Sequence, residues 1–79
     1  MNEWLRVFEM HLRRKRIKVL SRDLKDGFWH IALIRGEEVR TVRLSHHLVA
    51  ETSEHVALHF ALEVAAEFEQ PQTAGARML

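Results

Sequence analysis

Asp26-Gly27-Phe28-Trp29-His30-Ile31-Ala32-Leu33-Ile34-Arg35-Gly36-Glu37 reads as one strand held between two turns. Asp-Gly favours the positive φ angles of a two-residue hairpin turn, and Gly-Glu is a second tight-turn signal. Between them, aromatic and β-branched side chains recur with a period of two. Trp29, Ile31 and Leu33 share one face of this strand; Phe28, His30, Ala32 and Ile34 share the other.

Working outward, Arg16-Ile17-Lys18-Val19-Leu20-Ser21-Arg22 alternates in the same way and predicts a strand over 16–22, followed by a turn from Asp23 to Gly27. Residues 38–44 predict a third strand, which gives an antiparallel meander. Ile17, Val19, Val42 and Leu44 are expected on the same side as Trp29, Ile31 and Leu33. The opposite side then carries Lys18, Leu20 and Arg22, next Phe28, His30, Ala32 and Ile34, and last Val39, Thr41 and Arg43. A solvated antiparallel face is normally polar. This one has an apolar middle and basic edges, the pattern of a partner surface.

The flanks are helical. In residues 2–15, Trp4, Leu5, Phe8 and Leu12 form one stripe, Glu3, Arg6, Glu9 and Arg13 lie on the other side, and Asn2 is a candidate N-cap. Residues 45–52 are ambiguous. Ser45 is a cap for a helix starting at His46, and Thr52 or Ser53 is a cap for a later start, which is favoured. The helix then runs to about Glu69, where Gln70-Pro71 stops it, with Val56, Ala57, Phe60, Ala61, Val64, Ala65 and Phe68 as its apolar arc. The expected fold is α+β, a two-layer sandwich in αβββα order with both helices on one sheet face. Residues 1–69 form a single domain and 70–79 a flexible tail.

Composition narrows the function classes. The chain has 79 residues, 47% apolar and 29% charged, which fits one small globular domain. It contains no cysteine, so disulfides and thiolate metal sites are excluded. Neither a signal peptide nor an apolar run of membrane-spanning length is visible, and a cytoplasmic location is expected. The net charge of +1 conceals a gradient. Residues 1–20 carry six basic and two acidic side chains, whereas residues 51–70 carry five glutamates and no Lys or Arg. Such asymmetry suits two helices that lie side by side and neutralise each other, or a partner drawn to one end.

Three side-chain groups merit weighing. Arg13, Arg14, Lys15, Arg16 and Lys18 form a cationic run of the kind that contacts nucleic-acid phosphates. They also span a helix end, where cations are favoured by the free carbonyls, so weak binding is expected. His55, His59 and Glu63 recur at i,i+4 on the solvent side of the last helix; such spacing alone does not complete a coordination shell, and no metal is expected. His30 is a candidate pH-sensitive interface residue. Ser21, Ser45 and Ser53 sit at element ends, outside any Gly-flanked nucleophile elbow. Gly27, Gly36 and Gly75 do not make a phosphate-cradling loop. No catalytic residue, cofactor or small-molecule substrate is called for.

The element order over residues 2–69 is similar to that of the double-stranded RNA-binding domain. That resemblance implies phosphate contacts from a lysine-rich start of the second helix, a position that here reads Thr52-Ser53-Glu54-His55 after Glu51. The meander followed by a helix also looks like small antitoxin domains of the HicB type. The residues themselves point to a non-enzymatic interaction module that pairs with itself or another protein. Its expected contacts are Leu20, Phe28, His30, Ala32, Ile34 and Thr41 on the sheet face, or a free edge of strand 16–22 or 38–44. A two-fold axis near His30 would make a homodimer weaken as pH falls. The alternative is a nucleic-acid-binding regulator using Arg13 to Lys18.

Overall fold

The computed structural model describes residues 3–69. The chain forms α1 (Glu3–Arg14), β1 (Lys18–Lys25), β2 (Phe28–Arg35), β3 (Glu38–Ser45), α2 (His46–Glu51) and α3 (Glu54–Phe68). The strands make one antiparallel sheet in the order β1-β2-β3. The α+β class and αβββα order are those expected from the sequence. The proposed Asn2 cap and the proposed tail over 70–79 lie outside the described residues.

The passage from α1 to β1 differs from the expectation, and hydrogen bonding explains why. Strand geometry does not begin at Arg16. The Arg16 amide donates to the Arg13 carbonyl (2.9 Å) and the Ile17 amide to the Leu12 carbonyl (3.0 Å). These two bonds form a Schellman motif. It requires a left-handed residue, and Arg16 takes that conformation at φ 67. Ile17 and Leu12, the hydrophobic pair that accompanies such a cap, are 1% and 0% exposed. Arg16 therefore closes the helix, and β1 starts two residues later.

β1 also extends past Arg22 to Lys25, because the hairpin turn needs only Asp26 and Gly27. Both have positive φ, 54 and 80, the signature of a type I′ turn. Arg35 pairs with Glu38 across Gly36-Glu37, with positive φ at Gly36 alone, the sign pattern of type II′. Between Val19 and Ser21 the β1–β2 register shifts by one residue, a β-bulge at Leu20. Val19 pairs with Leu33 before the bulge, and Arg22 pairs with Ile31 after it. The bulge thus carries Arg22 onto the helix-covered side, opposite to the expected placement.

Both candidate helix starts after β3 are used. Ser45 caps α2, its Oγ accepting from the His47 amide at 3.1 Å, and the His46 amide anchors to the Gly27 carbonyl at 2.9 Å. Ser53 then begins α3. The expected single late start is corrected to two short-linked helices, and α2 contributes Val49, 2% exposed, to the core.

The core lies between the sheet and the helices. Phe8, Leu12, Ile31, Leu33, Ala57 and Ala61 are each fully buried in one cluster. Trp29, Val42, Val56 and Phe60 pack partly against it. At the far end of α3, Arg35 donates to the Phe68 carbonyl (3.3 Å) and Arg40 to the Glu67 carbonyl (2.7 Å). Two sheet arginines therefore satisfy the last carbonyls of α3 and fix the helix to the sheet.

A side-chain residue in the left-handed region costs roughly 1–2 kcal/mol relative to glycine, which itself gives back about 0.4–1 kcal/mol through unfolded-state entropy. Arg16→Gly is therefore expected to stabilise the protein by about 0.5–1 kcal/mol. A shift of the urea midpoint to higher concentration at unchanged m-value checks it; a lower midpoint contradicts the cap assignment.

Candidate functional site

Residues of all three helices share one buried cluster with Ile31, Leu33 and Leu44, which lie on one side of the sheet; among the described residues the core cluster takes nothing from the other side. Cross-strand partners share a face, and the register assigns the open side row by row. Lys25, Phe28 and Ser45 form one row; Asp23, His30 and Arg43 the next; Ser21, Ala32 and Thr41 the third; Lys18, Ile34 and Val39 the last. Leu20, Phe28 and Val39 are 56%, 37% and 53% exposed, while His30, Ala32 and Ile34 are half-buried. The Arg43 guanidinium lies 4.6 Å from the centre of the Phe28 ring, a cation–π contact that covers part of that ring. Of the residues expected on this face, Phe28, His30, Ala32, Ile34 and Thr41 occupy regular open-face positions. Leu20 is the unpaired bulge residue and is exposed.

Arg22 is absent from the open face for a second reason besides the bulge. Its Nε stands 2.5 Å from Glu9 Oε2 on α1. Glu9 was expected on the solvent side of α1 but is only 8% exposed. The contact is an ion pair by distance without the alignment of a directed hydrogen bond. It ties β1 to α1.

The cationic run divides in two. Arg14, Lys15 and Arg16 join Arg35 and Gly36 of the β2–β3 turn around a recess of about 590 Å³, which Glu69 also lines. Arg13 and Lys18 line a separate recess of about 250 Å³ beside Glu9, Ile17 and Val19. Helical rotation separates Arg13 from Arg14, and the left-handed Arg16 turns the chain before Lys18.

The histidine stripe lies on the surface. His59 Nε2 sits 2.9 Å from Glu63 Oε2, and both side chains are well exposed. His47 and Glu51 repeat the i,i+4 arrangement on α2 at 3.4 Å. These are exposed helix pairs, worth a few tenths of a kcal/mol at most (~0.3–0.5).

A groove that the sequence does not mark runs between α1 and the α2–α3 junction, with a volume of about 780 Å³. Trp4, Val7, Met10, Val49 and Leu58 supply its apolar lining, with Glu3, His11 and His55 alongside. The Thr52 hydroxyl at this groove accepts from Trp4 Nε1 (2.8 Å) and donates to the Leu48 carbonyl (2.6 Å), so it is committed to holding α1 against α2. Arg6 hydrogen-bonds Glu3 and keeps that carboxyl below its ordinary pKa. No described helix is long and apolar enough to cross a membrane. Comparison with protein-family models, curated proteins and solved structures finds no match for this chain.

Removing one member of the Glu9–Arg22 pair strands the other. Because Arg22 is about a third exposed, Arg22→Ala is expected to cost about 1–3 kcal/mol, less than a fully buried pair would. Replacing both residues by methionine is expected to recover most of that loss. Chemical denaturation of the two variants is the check, and equal destabilisation by both would contradict it.

Proposed function

We propose that the chain is a small, non-enzymatic interaction module that associates with a second copy through the open face of its sheet. One observation carries this reading: the side of the sheet that adds nothing to the core cluster bears Leu20, Phe28 and Val39 exposed around half-buried Ala32 and Ile34. Burying such side chains is favourable at about 25 cal/mol per Å² before association costs are subtracted. The edges are poorer sites. β1 is broken by its bulge, which twists an edge away from pairing. β3 carries Arg40, which is engaged with Glu38 and the end of α3. Three strands of eight residues span on the order of 26 by 14 Å at ~3.3 Å per residue and ~4.8 Å between strands. That is the small end of specific interfaces, so dissociation in the micromolar range is expected. Phe28→Asp and Ile34→Asp should shift sedimentation of the protein from dimer to monomer while leaving far-UV circular dichroism unchanged. A dimer of undiminished strength in both variants overturns the reading.

A second reading, contact with nucleic-acid backbones, is favoured by the convergence of Arg14, Lys15, Arg16 and Arg35 on one recess. Glu69 in the same recess and the carbonyl end of α1 act against an anion there. Fluorescence titration with labelled duplex RNA and DNA is expected to show weak binding that vanishes near physiological salt. Tight, salt-resistant binding abolished by Arg14→Glu/Lys15→Glu would rank this reading first.

A further inference from the structure

Of the two-fold axes that keep stacked strands aligned, the one along the central strand sets opposite charges against each other on the open face, and we infer that the second copy docks with the two-fold axis running along β2. This inference rests on the self-association proposed above. β2 is the central strand. An axis along it, midway between two stacked sheets, places each β2 residue over its own counterpart and lays β1 of one copy over β3 of the other. Ala32 and Ile34 then form one apolar stretch and Phe28 another, separated by His30, which lies over the partner's His30. On either side of His30, Asp23 of one copy meets the partner's Arg43, and Arg43 meets the partner's Asp23, because Asp23, His30 and Arg43 occupy a single cross-strand row. Both Asp23 and Arg43 are exposed, and the Arg43 guanidinium rests on the Phe28 ring at 4.6 Å, so it enters the contact beside that ring.

The remaining rows fit the same operation. Ser21 lies over the partner's Thr41, both able to donate and accept. Lys25 lies over the partner's Ser45, and Lys18 over the partner's Val39, so no lysine meets a lysine. The alternative two-fold, across the strands, lays β1 over β1 and β3 over β3. Asp23 then cannot reach the partner's Arg43, and with the axis at the His30 row each charge faces its own copy. Stacked sheets keep their strands within about 30° of one another, which the axis along β2 allows. Because the apolar contact is narrow, the two charge pairs decide register and orientation more than they add affinity.

The test is charge exchange read by sedimentation equilibrium, alongside wild type and Phe28→Asp. Asp23→Arg opposes two arginines at each pair position, and Arg43→Asp opposes two aspartates. Each single variant should weaken the homodimer about tenfold or more. The double variant Asp23→Arg/Arg43→Asp should return to near wild-type strength, and an equimolar mixture of the two single variants should form a heterodimer. If Phe28→Asp abolishes the dimer but the single variants dimerise like wild type, the orientation is wrong and the sheet-face reading stands. Weak single variants that neither the double variant nor the mixture rescues overturn it as well. A monomeric wild type, or a dimer indifferent to Phe28→Asp, removes the sheet-face reading and this inference with it.

Discussion

Phe8, Leu12, Ile31 and Leu33 are without solvent exposure in a single cluster, and the rest of the molecule is arranged around their burial. In a strand, fixing alternate residues inward fixes their neighbours outward. With Ile31 and Leu33 under the helices, Phe28, Ala32 and Ile34 have no choice but the other face. A slip of one residue would expose Ile31 and Leu33 and bury His30, so the hydrophobic term holds the register firmly. The helices are then tied to the sheet at both ends. Leu12 and Ile17 close the turn from α1 into β1, and Arg35 and Arg40 hold the last carbonyls of α3.

The charge gradient along the chain acquires a spatial meaning from this arrangement. α1 and α3 pack side by side. Trp4 near the start of α1 lies 6.2 Å from Phe60, and at the other end Arg14 to Arg16 share a recess with Glu69. The basic end of α1 thus lies beside Glu69 at the end of α3, whose carboxylate pairs with Arg35 in the same recess. Arg35 also faces the Phe68 ring at 5.9 Å and Arg40 faces it at 5.0 Å. Several cations that look free in the sequence are therefore occupied with holding the fold.

What could be read from the sequence was whatever depends on local periodicity. The alternation in Phe28 to Arg35, the Asp26-Gly27 turn and the arc from Val56 to Phe68 each announce their geometry within a few residues. The features that escaped depend on contacts across the fold. Arg16 looks like a strand residue because Arg16-Ile17-Lys18-Val19 alternates; its left-handed backbone is set by the Leu12–Ile17 contact. Glu9 looks like a solvent residue on the helical wheel, and only the bulge in β1 brings Arg22 to it. Ser45 and Ser53 both read as helix starts, and no local rule states that both are used or that only the Ser45 hydroxyl makes a capping bond. Most of the open face was legible because it rests on β2. Its Asp23 member was not, because Asp23 reads as turn and becomes strand only when the hairpin tightens to two residues.

The bulge at Leu20 also bears on how large an assembly can grow. Without that residue, Val19 and Ser21 already pair with consecutive residues of β2, so the ladder would close into an unbroken eight-rung edge minus one. A flat, regular edge invites another strand, and strand addition has no built-in end: each added copy offers a fresh edge to the next. The surplus leucine interrupts that propagation. Were the open face to pair once, as proposed, an interrupted β1 edge would favour an assembly that terminates over one that elongates into a filament.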